Sequence, residues 1–313
     1  MMSETRGFPP VTLPLQVQLN TTNVPVIFAF EFAFERRFDH EWGVGLFQQY
    51  WTVGFPLSAI YGVLILAGQR FMRDRPPWDL RRALTAWSLG LAVFSWLGLL
   101  RSWEETAYMA TTYGLKSVAC DSVGFIGASG LWAWLFAVSK LVEFGDTAFI
   151  VLRKQKLIFL HWYHHITVLL YTWFSYAYYT STGRCFLLMN YTVHAFMYTY
   201  YALKASRVVR IPRRVSVCIT ILQITQMFTG ILVNLYAHVV LRRGEACSVS
   251  RRNLEASFFM YVSYFVLFAH YFYQAYFVKK PEKLDRKPAA RYGELNERDT
   301  INVQLRDEPK KTR

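Results

Sequence analysis

The sequence predicts an all-α integral membrane protein with seven transmembrane helices. Of its 313 residues, 53% are hydrophobic and only 18% are charged, which is less charge than an average soluble domain carries. The net charge of +14 is distributed in short basic runs between long apolar stretches, so it does not form the continuous basic face of a nucleic-acid-binding protein. Runs of roughly 17 to 25 apolar residues are long enough to cross a bilayer. They lie at about 51–68, 83–100, 131–152, 157–176, 186–203, 215–241 and 256–278.

The same hydropathy pattern divides the chain into three regions. Residues 1–50 are predicted to be a luminal N-terminal segment, 51–278 a seven-span domain, and 279–313 a basic cytosolic tail. Because no long apolar stretch precedes the first span, that span is expected to target the chain to the membrane.

The positions of Lys and Arg predict the orientation. With seven spans, 24 of the 35 basic residues lie on one face, which the positive-inside rule assigns to the cytosol. The N-terminus is then luminal and the C-terminus cytosolic. Asn20 begins a glycosylation sequon on the predicted luminal side. Lys310 and Lys311 resemble the cytosolic dilysine signal of endoplasmic reticulum proteins, although they also fit the end of a basic, disordered tail.

Two of the four cysteines fall in the longer predicted luminal loops. An oxidising lumen favours a disulfide between Cys120 and Cys247, with Cys185 as a competing partner. Cys218 lies toward the cytosolic end of the sixth span and is expected to be a small buried side chain.

Polar side chains inside four predicted spans define a candidate site. Such groups are costly in a membrane and usually face a cavity or a partner. The three-residue steps in the third span keep its members on one broad face, and His161 shares a face with both other histidines of HWYHH. By span, the set is Lys140, Glu143 and Asp146; His161, His164 and His165; Asn190, His194, Tyr198 and Tyr201; Gln223 and Gln226.

These groups lie at similar depths. At 1.5 Å per residue, the ionisable and amide groups come out about 6 to 18 Å from the cytosolic ends of their spans. The sequence therefore predicts a polar, imidazole-rich chamber that opens to the cytosol, with apolar space beyond it. The alternatives are an interhelical hydrogen bond for Gln223 and a structural ion pair of Lys140 with Glu143 or Asp146.

Two kinds of chemistry fit such a chamber. A di-iron centre like those of membrane desaturases draws histidines from several motifs, whereas four histidines lie at this depth; Glu143 and Asp146 would have to add oxygen ligands. Alternatively, a neutral imidazole acts without metal or cofactor, as a nucleophile toward a thioester or as a base. We favour the metal-free chemistry with an acyl-CoA substrate. Its anionic head would lie at the cytosolic mouth among Arg153, Lys154, Lys204 and Arg207.

Four motifs resemble those of the ELO fatty acid elongases, in the same order and spacing. They are KLVEFGDT (140–147), HWYHH (161–165), NYTVHAFMYTYY (190–201) and TILQITQ (220–226). The sequence around HWYHH is most similar to the subgroup of the family that extends saturated and monounsaturated acyl chains. The resemblance implies a 3-oxoacyl-CoA synthase of the endoplasmic reticulum membrane. Such an enzyme condenses a long-chain acyl-CoA with malonyl-CoA and releases CO2 and CoA.

The resemblance also implies a fold and residue roles. Helices two to seven would form a six-helix barrel of two inverted three-helix halves, an arrangement that the topology permits. His164 would attack the acyl thioester, or serve only as a base, while His194 and Asn190 stabilise developing negative charge. His161 and His165 would hold the reactive ring in place, with the remaining polar residues in support.

Three further points stay open at this level. A seven-helix receptor or transporter shares the span count, but its ligand site usually lies on the opposite face from the predicted chamber. Candidates for the closed end of an acyl tunnel are Trp132, Trp173 and Phe174. The sequence does not define a homo-oligomer or contacts with the other enzymes of an elongation cycle.

Overall fold

The computed structural model describes residue 28 and residues 30–122 and 127–278. Within these residues the regular secondary structure is entirely helical, and there are no strands. The predicted all-α class is therefore confirmed for these residues. In chain order the helices are α1 (Ala33–Arg36), α2 (His40–Tyr50), α3 (Gly54–Met72), α4 (Arg81–Tyr113), α5 (Leu115–Cys120), α6 (Gly127–Val142), α7 (Gly145–Leu152), α8 (Phe159–Ala177), α9 (Gly183–Ser206), α10 (Arg213–Arg242) and α11 (Arg251–Tyr276).

Each of the seven predicted apolar segments coincides with helical structure. Four helices are long and apolar enough to cross a membrane: the continuous helix His40–Met72, α4, α10 and α11. The protein is therefore a multi-pass membrane protein. The other three predicted spans correspond to α6 with α7, to α8 and to α9, which carry most of the polar residues of the candidate site.

The first helix begins earlier than predicted. Asp39 caps α2 by accepting a hydrogen bond from the backbone N–H of Trp42. A short 3-10 turn, Trp51–Val53, then joins α2 to α3 without a break. The predicted boundary at residue 50 therefore lies inside a continuous helix.

The second predicted span corresponds to α4. This helix ends 13 residues later than the predicted limit of 100, because its charged residues are paired inside the protein. Arg101 Nε donates to Glu35 Oε1 at 2.9 Å. Glu105 Oε1 accepts from Arg184 Nε at 2.7 Å, and both of these side chains are almost fully buried. Hydropathy alone treats such charges as the end of a span.

The third predicted span is broken at Glu143 and Phe144, between α6 and α7. The backbone N–H groups of Asp146 and Thr147 donate to carbonyls three residues back, as in a 3-10 turn. Gly145 allows Trp87 to pack closely, since a Cβ there would lie 2.6 Å from the indole. A regular α-helix therefore does not run through all three ionisable residues of this span, because the break lies between Lys140 and Asp146.

Six of the longer helices pack in a cyclic order. Helix α4 packs along α6 and α9, and α10 packs along α9 and α11. Helix α8 contacts both α6 and α11. Helix α3 contacts α7 and α8 from outside this group, so the six helices surround an interior.

A compact group of loops covers the end of the bundle where α8 ends and α9 begins. Cys120 and Cys247 lie at disulfide distance, with an S–S separation of 2.16 Å. The Ser248 N–H donates to the Cys120 carbonyl, and the Ser181 N–H donates to the Ser248 carbonyl. Arg184 Nη1 lies within 3.1 Å of three carbonyl oxygens in this region, those of Ser117, Val118 and Asp121. We call this group the end cap.

The other two cysteines are unpaired. Cys185 is partly buried beside the end cap and approaches the Val118 carbonyl with its Sγ at 3.7 Å. Cys218 is exposed on the protein surface, so its expected burial is wrong. The reason is that one face of α10 points away from the bundle, toward the region that lipid would occupy.

Candidate functional site

Two cavities meet inside the six-helix group. The first, which we call the histidine cavity, lies toward the end where α7 and α9 end. Its lining includes every histidine of HWYHH together with His194. The second, which we call the aromatic cavity, extends from His164 toward the end cap. Both cavities are lined by His164, Asn190, Gln226 and Met227, so these four residues mark the junction.

Most of the predicted site residues line the histidine cavity. The structure brings together Glu143, Asp146, His161, His164, His165, Asn190, His194, Tyr198, Tyr201, Gln223 and Gln226. Lys140 does not line the cavity and instead lies buried behind it. The predicted convergence of four helices on one polar chamber therefore agrees with the geometry.

Lys140 organises one wall of this cavity. Its Nζ donates to Glu143 Oε1 at 2.7 Å and to Asn190 Oδ1 at 2.8 Å. Because a lysine ammonium can only donate, it turns the Asn190 amide so that the oxygen faces Lys140 and the NH2 group points away. His194 Nδ1 lies 3.7 Å from the same Glu143 oxygen. The expected ion pair of Lys140 with Glu143 is thus present, and it orients a residue at the junction.

Asp146 makes hydrogen bonds to two other helices. Its two carboxylate oxygens accept from Trp87 Nε1 at 2.6 Å and from the Tyr198 hydroxyl at 2.7 Å. These bonds join α7 to α4 and α9.

A hydroxyl group orients the first histidine instead of a carboxylate. Thr147 Oγ1 lies 2.9 Å from His161 Nε2 and 2.6 Å from the Tyr61 hydroxyl. The rings of His161 and His165 are 4.4 Å apart. This chain extends from α3 through α7 to α8, so α3 supports the site from outside the six-helix group.

His164 occupies the junction between the cavities. Its ring packs against Tyr264 of α11, with ring centroids 4.9 Å apart. The Tyr264 hydroxyl donates to the His164 carbonyl at 3.2 Å. The contact of Tyr264 with His164 could not be predicted from the sequence, because an aromatic residue in an apolar segment carries no sign of a polar contact. The same applies to Trp87, the indole partner of Asp146.

The aromatic cavity follows matching stripes on α8 and α9. The α8 stripe begins at His164 and includes Val168 and Tyr171, and the α9 stripe ends at Asn190. At the far end lie Tyr176, Tyr179, Thr180 and Gly183. Because α8 and α9 are antiparallel, one end of the aromatic cavity lies at the junction and the other end lies toward the end cap.

The three residues expected at the closed end of a tunnel lie elsewhere. The Trp173 indole donates to the Ala137 carbonyl and packs against Phe47. Phe174 packs against Trp51, and the Trp132 indole donates to Glu35. That expectation is wrong because these side chains face α1, α2 and the turn Trp51–Val53.

The four basic residues predicted to hold an anionic head lie at the end of the bundle where α7 and α9 end. Arg153 and Lys154 follow α7, and Lys204 and Arg207 lie at the end of α9. Lys154 donates to the Arg73 carbonyl and Lys204 donates to the Tyr200 hydroxyl. None of the four lines either described cavity. Asn20 and the tail from 279 lie outside the described residues.

Within the described part of the chain, no group of three or more His, Cys, Asp or Glu side chains is placed to hold a metal ion. The imidazoles instead make contacts with hydroxyl groups, aromatic rings and one another.

Comparison with known proteins identifies the family. The profile of the ELO: GNS1/SUR4 family matches residues 46–284, which is most of the chain and includes both cavities. The chain belongs to this family. The resemblance in its four motifs is thereby confirmed.

Several similar proteins carry related names. Very long chain fatty acid elongase 6 of Drosophila melanogaster is 46% identical over 274 residues, covering 86% of this chain and 85% of that protein. The Gallus gallus protein of the same name is 45% identical over 266 residues, covering 84% and 100%. Very long chain fatty acid elongase 3 of Homo sapiens is 46% identical over 232 residues, covering 74% and 85%.

Proposed function

We propose that this protein is a fatty acid elongase that condenses a long-chain saturated or monounsaturated acyl-CoA with malonyl-CoA. The products are a 3-oxoacyl-CoA two carbons longer, CO2 and free CoA. The observation that carries the proposal is the junction at His164, where a polar cavity rich in imidazoles meets a long apolar cavity. The names of the family relatives support the same activity.

The length of the aromatic cavity agrees with a long-chain substrate. His164 and Tyr176 lie on one helix, twelve positions apart. At 1.5 Å per residue this separation is about 18 Å, roughly the length of an extended long-chain acyl group. The acyl chain would extend toward the end cap and leave its carbonyl carbon beside His164.

The proposed reaction has two stages. The unprotonated ring nitrogen of neutral His164 attacks the thioester carbon, the C–S bond breaks, and the departing CoA thiolate takes the proton of the other ring nitrogen, which leaves a neutral acyl-imidazole. Malonyl-CoA then enters, and loss of CO2 leaves an enolate on its acetyl carbon. That carbon attacks the acyl group, the C–N bond to His164 breaks as the new C–C bond forms, and the departing ring takes up from solvent the one proton that the overall reaction consumes.

Asn190 and His194 are proposed to stabilise the negative charge in both stages. Lys140 holds the Asn190 oxygen, so the NH2 group is the part of that side chain available to donate toward a developing oxyanion. His194 lies one helical turn away on α9 and is adjacent to Glu143. His161 and His165 would restrict the motion of the His164 side chain from the preceding turn and the neighbouring position.

The proposed membrane arrangement extends the observed packing. Six spans would form a barrel, namely α4, α6 together with α7, α8, α9, α10 and α11, and α3 would cross outside it. The cyclic packing order supports this arrangement. The histidine cavity would open to the cytosol, with the CoA head near Arg153, Lys154, Lys204 and Arg207. The end cap would face the lumen of the endoplasmic reticulum, which would support the Cys120–Cys247 disulfide and glycosylation at Asn20.

The decisive test uses the purified full chain in detergent, free of host elongases. Palmitoyl-CoA is supplied with malonyl-CoA labelled in its free carboxyl group, and labelled CO2 is measured together with the mass of the product. Release of label with a matching amount of 3-oxo product two carbons longer would support the proposal. If a folded sample releases no label with acyl chains from short to very long, the proposal is wrong.

A further inference from the structure

One tyrosine in the wall of the aromatic cavity packs against a glycine of the neighbouring helix. Tyr261 of α11 lines the cavity, and Gly230 is buried in the interior of α10. A Cβ at Gly230 would lie 2.3 Å from Tyr261 Cε1 and 2.4 Å from Cδ1, much closer than two carbon atoms can approach. Glycine inside a helix is less stable than alanine, so its presence here has a packing reason. The missing side chain makes the room that the Tyr261 ring occupies.

The two helices are joined firmly beside this contact. Asn234, one turn further along α10, donates through Nδ2 to the Gly230 carbonyl at 2.8 Å. Ser257, one turn before Tyr261 on α11, donates to Asn234 Oδ1. Both of these polar side chains are almost completely buried. Separating α10 from α11 here would leave buried polar atoms unpaired, so the helices keep their spacing when a side chain is added at position 230.

The ring of Tyr261 is the part of this contact that can move. Phe186 of α9 packs against it, with ring centroids 4.7 Å apart, and Met227 and Met260 belong to the same buried cluster. The aromatic cavity is the open space beside the ring. A side chain at position 230 would therefore push the Tyr261 ring into the cavity.

Tyr261 lies near the junction end of the aromatic cavity. Tyr264, which packs against His164, is three positions further along α11. At 1.5 Å per residue, three positions correspond to about 4.5 Å, the length of roughly four carbons of an extended chain. Because α11 begins beside the end cap, Tyr261 is on the end-cap side of Tyr264. An acyl chain with its carbonyl carbon at His164 would pass Tyr261 near its fifth carbon.

We propose that Gly230 and Tyr261 set the width of the aromatic cavity beside the fifth carbon, and so determine how well acyl-CoA molecules with a methyl branch at this position are accepted. The inference rests on the proposed function, because it takes the acyl chain to occupy this cavity. A branched carbon needs more width than a straight chain, so a ring displaced into the cavity excludes the branched substrate first. The branch takes no part in the condensation and remains in the product.

The test compares palmitoyl-CoA with a derivative that carries one methyl group on its fifth carbon. The branch ratio is kcat/KM for condensation of the branched substrate divided by kcat/KM for palmitoyl-CoA. We expect this ratio to fall about tenfold in Gly230→Ala, because the displaced ring takes the space that the methyl group needs. Tyr261→Val removes the ring and should raise the ratio about threefold or more. In the Tyr261→Val background, adding Gly230→Ala should change the ratio no further.

Two controls make the result specific. A Cβ at Gly98 would also lie 2.3 Å from a tyrosine ring, that of Tyr191, but Tyr191 lines neither described cavity. Gly98→Ala therefore disturbs helix packing in the same way, and its branch ratio should match the wild type. Palmitoyl-CoA with a methyl group on its twelfth carbon is the substrate control. Its rate relative to palmitoyl-CoA should not respond to Gly230→Ala.

The possible outcomes are distinguishable. If folded Gly230→Ala condenses both substrates in the wild-type ratio, or if Gly98→Ala lowers the ratio equally, the inference is wrong and the condensing activity stands. If Gly230→Ala does not fold, or if the wild-type protein does not extend the branched substrate, Tyr261→Val decides. A branch ratio that does not rise in this variant overturns the inference. Absence of condensation with every chain would instead overturn the proposed function.

Discussion

The histidine cavity and the aromatic cavity share four residues but are built in opposite ways. The wall of the histidine cavity is fixed by short polar contacts between helices, such as Lys140 to Asn190 and Tyr198 to Asp146. The aromatic cavity is lined mostly by aromatic and apolar side chains and extends toward the end cap. Under the proposed function, the first cavity holds the reacting groups in place and the second receives the acyl chain.

The largest effect of a substitution is expected at the junction between the two cavities. We expect His164→Ala to lower condensation about a thousandfold or more, because the variant lacks the proposed nucleophile. The measurement is CO2 release from labelled malonyl-CoA with palmitoyl-CoA. His238→Ala is the matched control, since His238 lines neither cavity. Equal rates in the two variants would show that His164 has no special role.

The polar wall should depend on its buried charges. Lys140→Met removes the partner of a Glu143 carboxylate that is 2% exposed, so we expect a loss of about 3 to 5 kcal/mol in the free energy of unfolding. Thermal unfolding in detergent would report this loss. The control is Lys116→Met, which breaks the exposed pair with Glu245 and should cause no measurable change. An unchanged unfolding temperature for Lys140→Met would show that the buried pair is dispensable.

The end cap should contribute to stability without taking part in the chemistry. Cys120 and Cys247 are separated by 127 positions, so a disulfide between them restricts the unfolded chain strongly. We expect Cys247→Ser to lower the free energy of unfolding by about 2 to 4 kcal/mol. The rate per folded molecule should remain near that of the unpaired-cysteine control Cys218→Ser. A large loss of rate in folded Cys247→Ser would show that the end cap contributes to catalysis and would contradict a role in stability alone.

The aromatic cavity should determine chain length from its far end. Gly183 lines that end, and a Cβ there would meet no atom within 4 Å, so a larger side chain can enter the cavity. We expect Gly183→Leu to shift the preference between palmitoyl-CoA and shorter acyl-CoA molecules by about tenfold toward the shorter chains. Gly90→Leu is the control, since Gly90 is equally open but lies outside both cavities. An unchanged preference would place the methyl end elsewhere.

The two cavities also differ in how well the sequence predicts them. Charges and imidazoles are rare inside membrane spans, so Lys140, His164 and His194 stand out in a single sequence. The similar depth of these groups in the membrane could be predicted from the rise per residue of a helix alone. The structure brings His164 and His194 together in the histidine cavity, with Lys140 behind it. The far end of the aromatic cavity is built from Tyr and Thr residues, which are common in such segments. Their side-chain direction depends on tertiary packing, which is why Trp173 was wrongly expected there.

Backbone irregularities were the other part that the sequence did not reveal. The break at Glu143 and Phe144 lies beside the close packing of Trp87 against Gly145, a contact between residues nearly sixty positions apart. The length of α4 depends on Arg184 and Glu35, which neutralise charges that hydropathy counts as a span end. Both features arise from pairs that are distant in sequence, so local patterns carry no signal for them.

The most direct test of the account is the intact mass of the protein after exposure to palmitoyl-CoA alone. If His164 joins the two cavities as the nucleophile, the wild-type protein should gain one palmitoyl-sized increment that maps to the peptide containing His164. The increment should disappear when malonyl-CoA is added, and it should be absent from His164→Ala. Full turnover without any such increment would contradict this account and leave His164 as a base in a ternary complex.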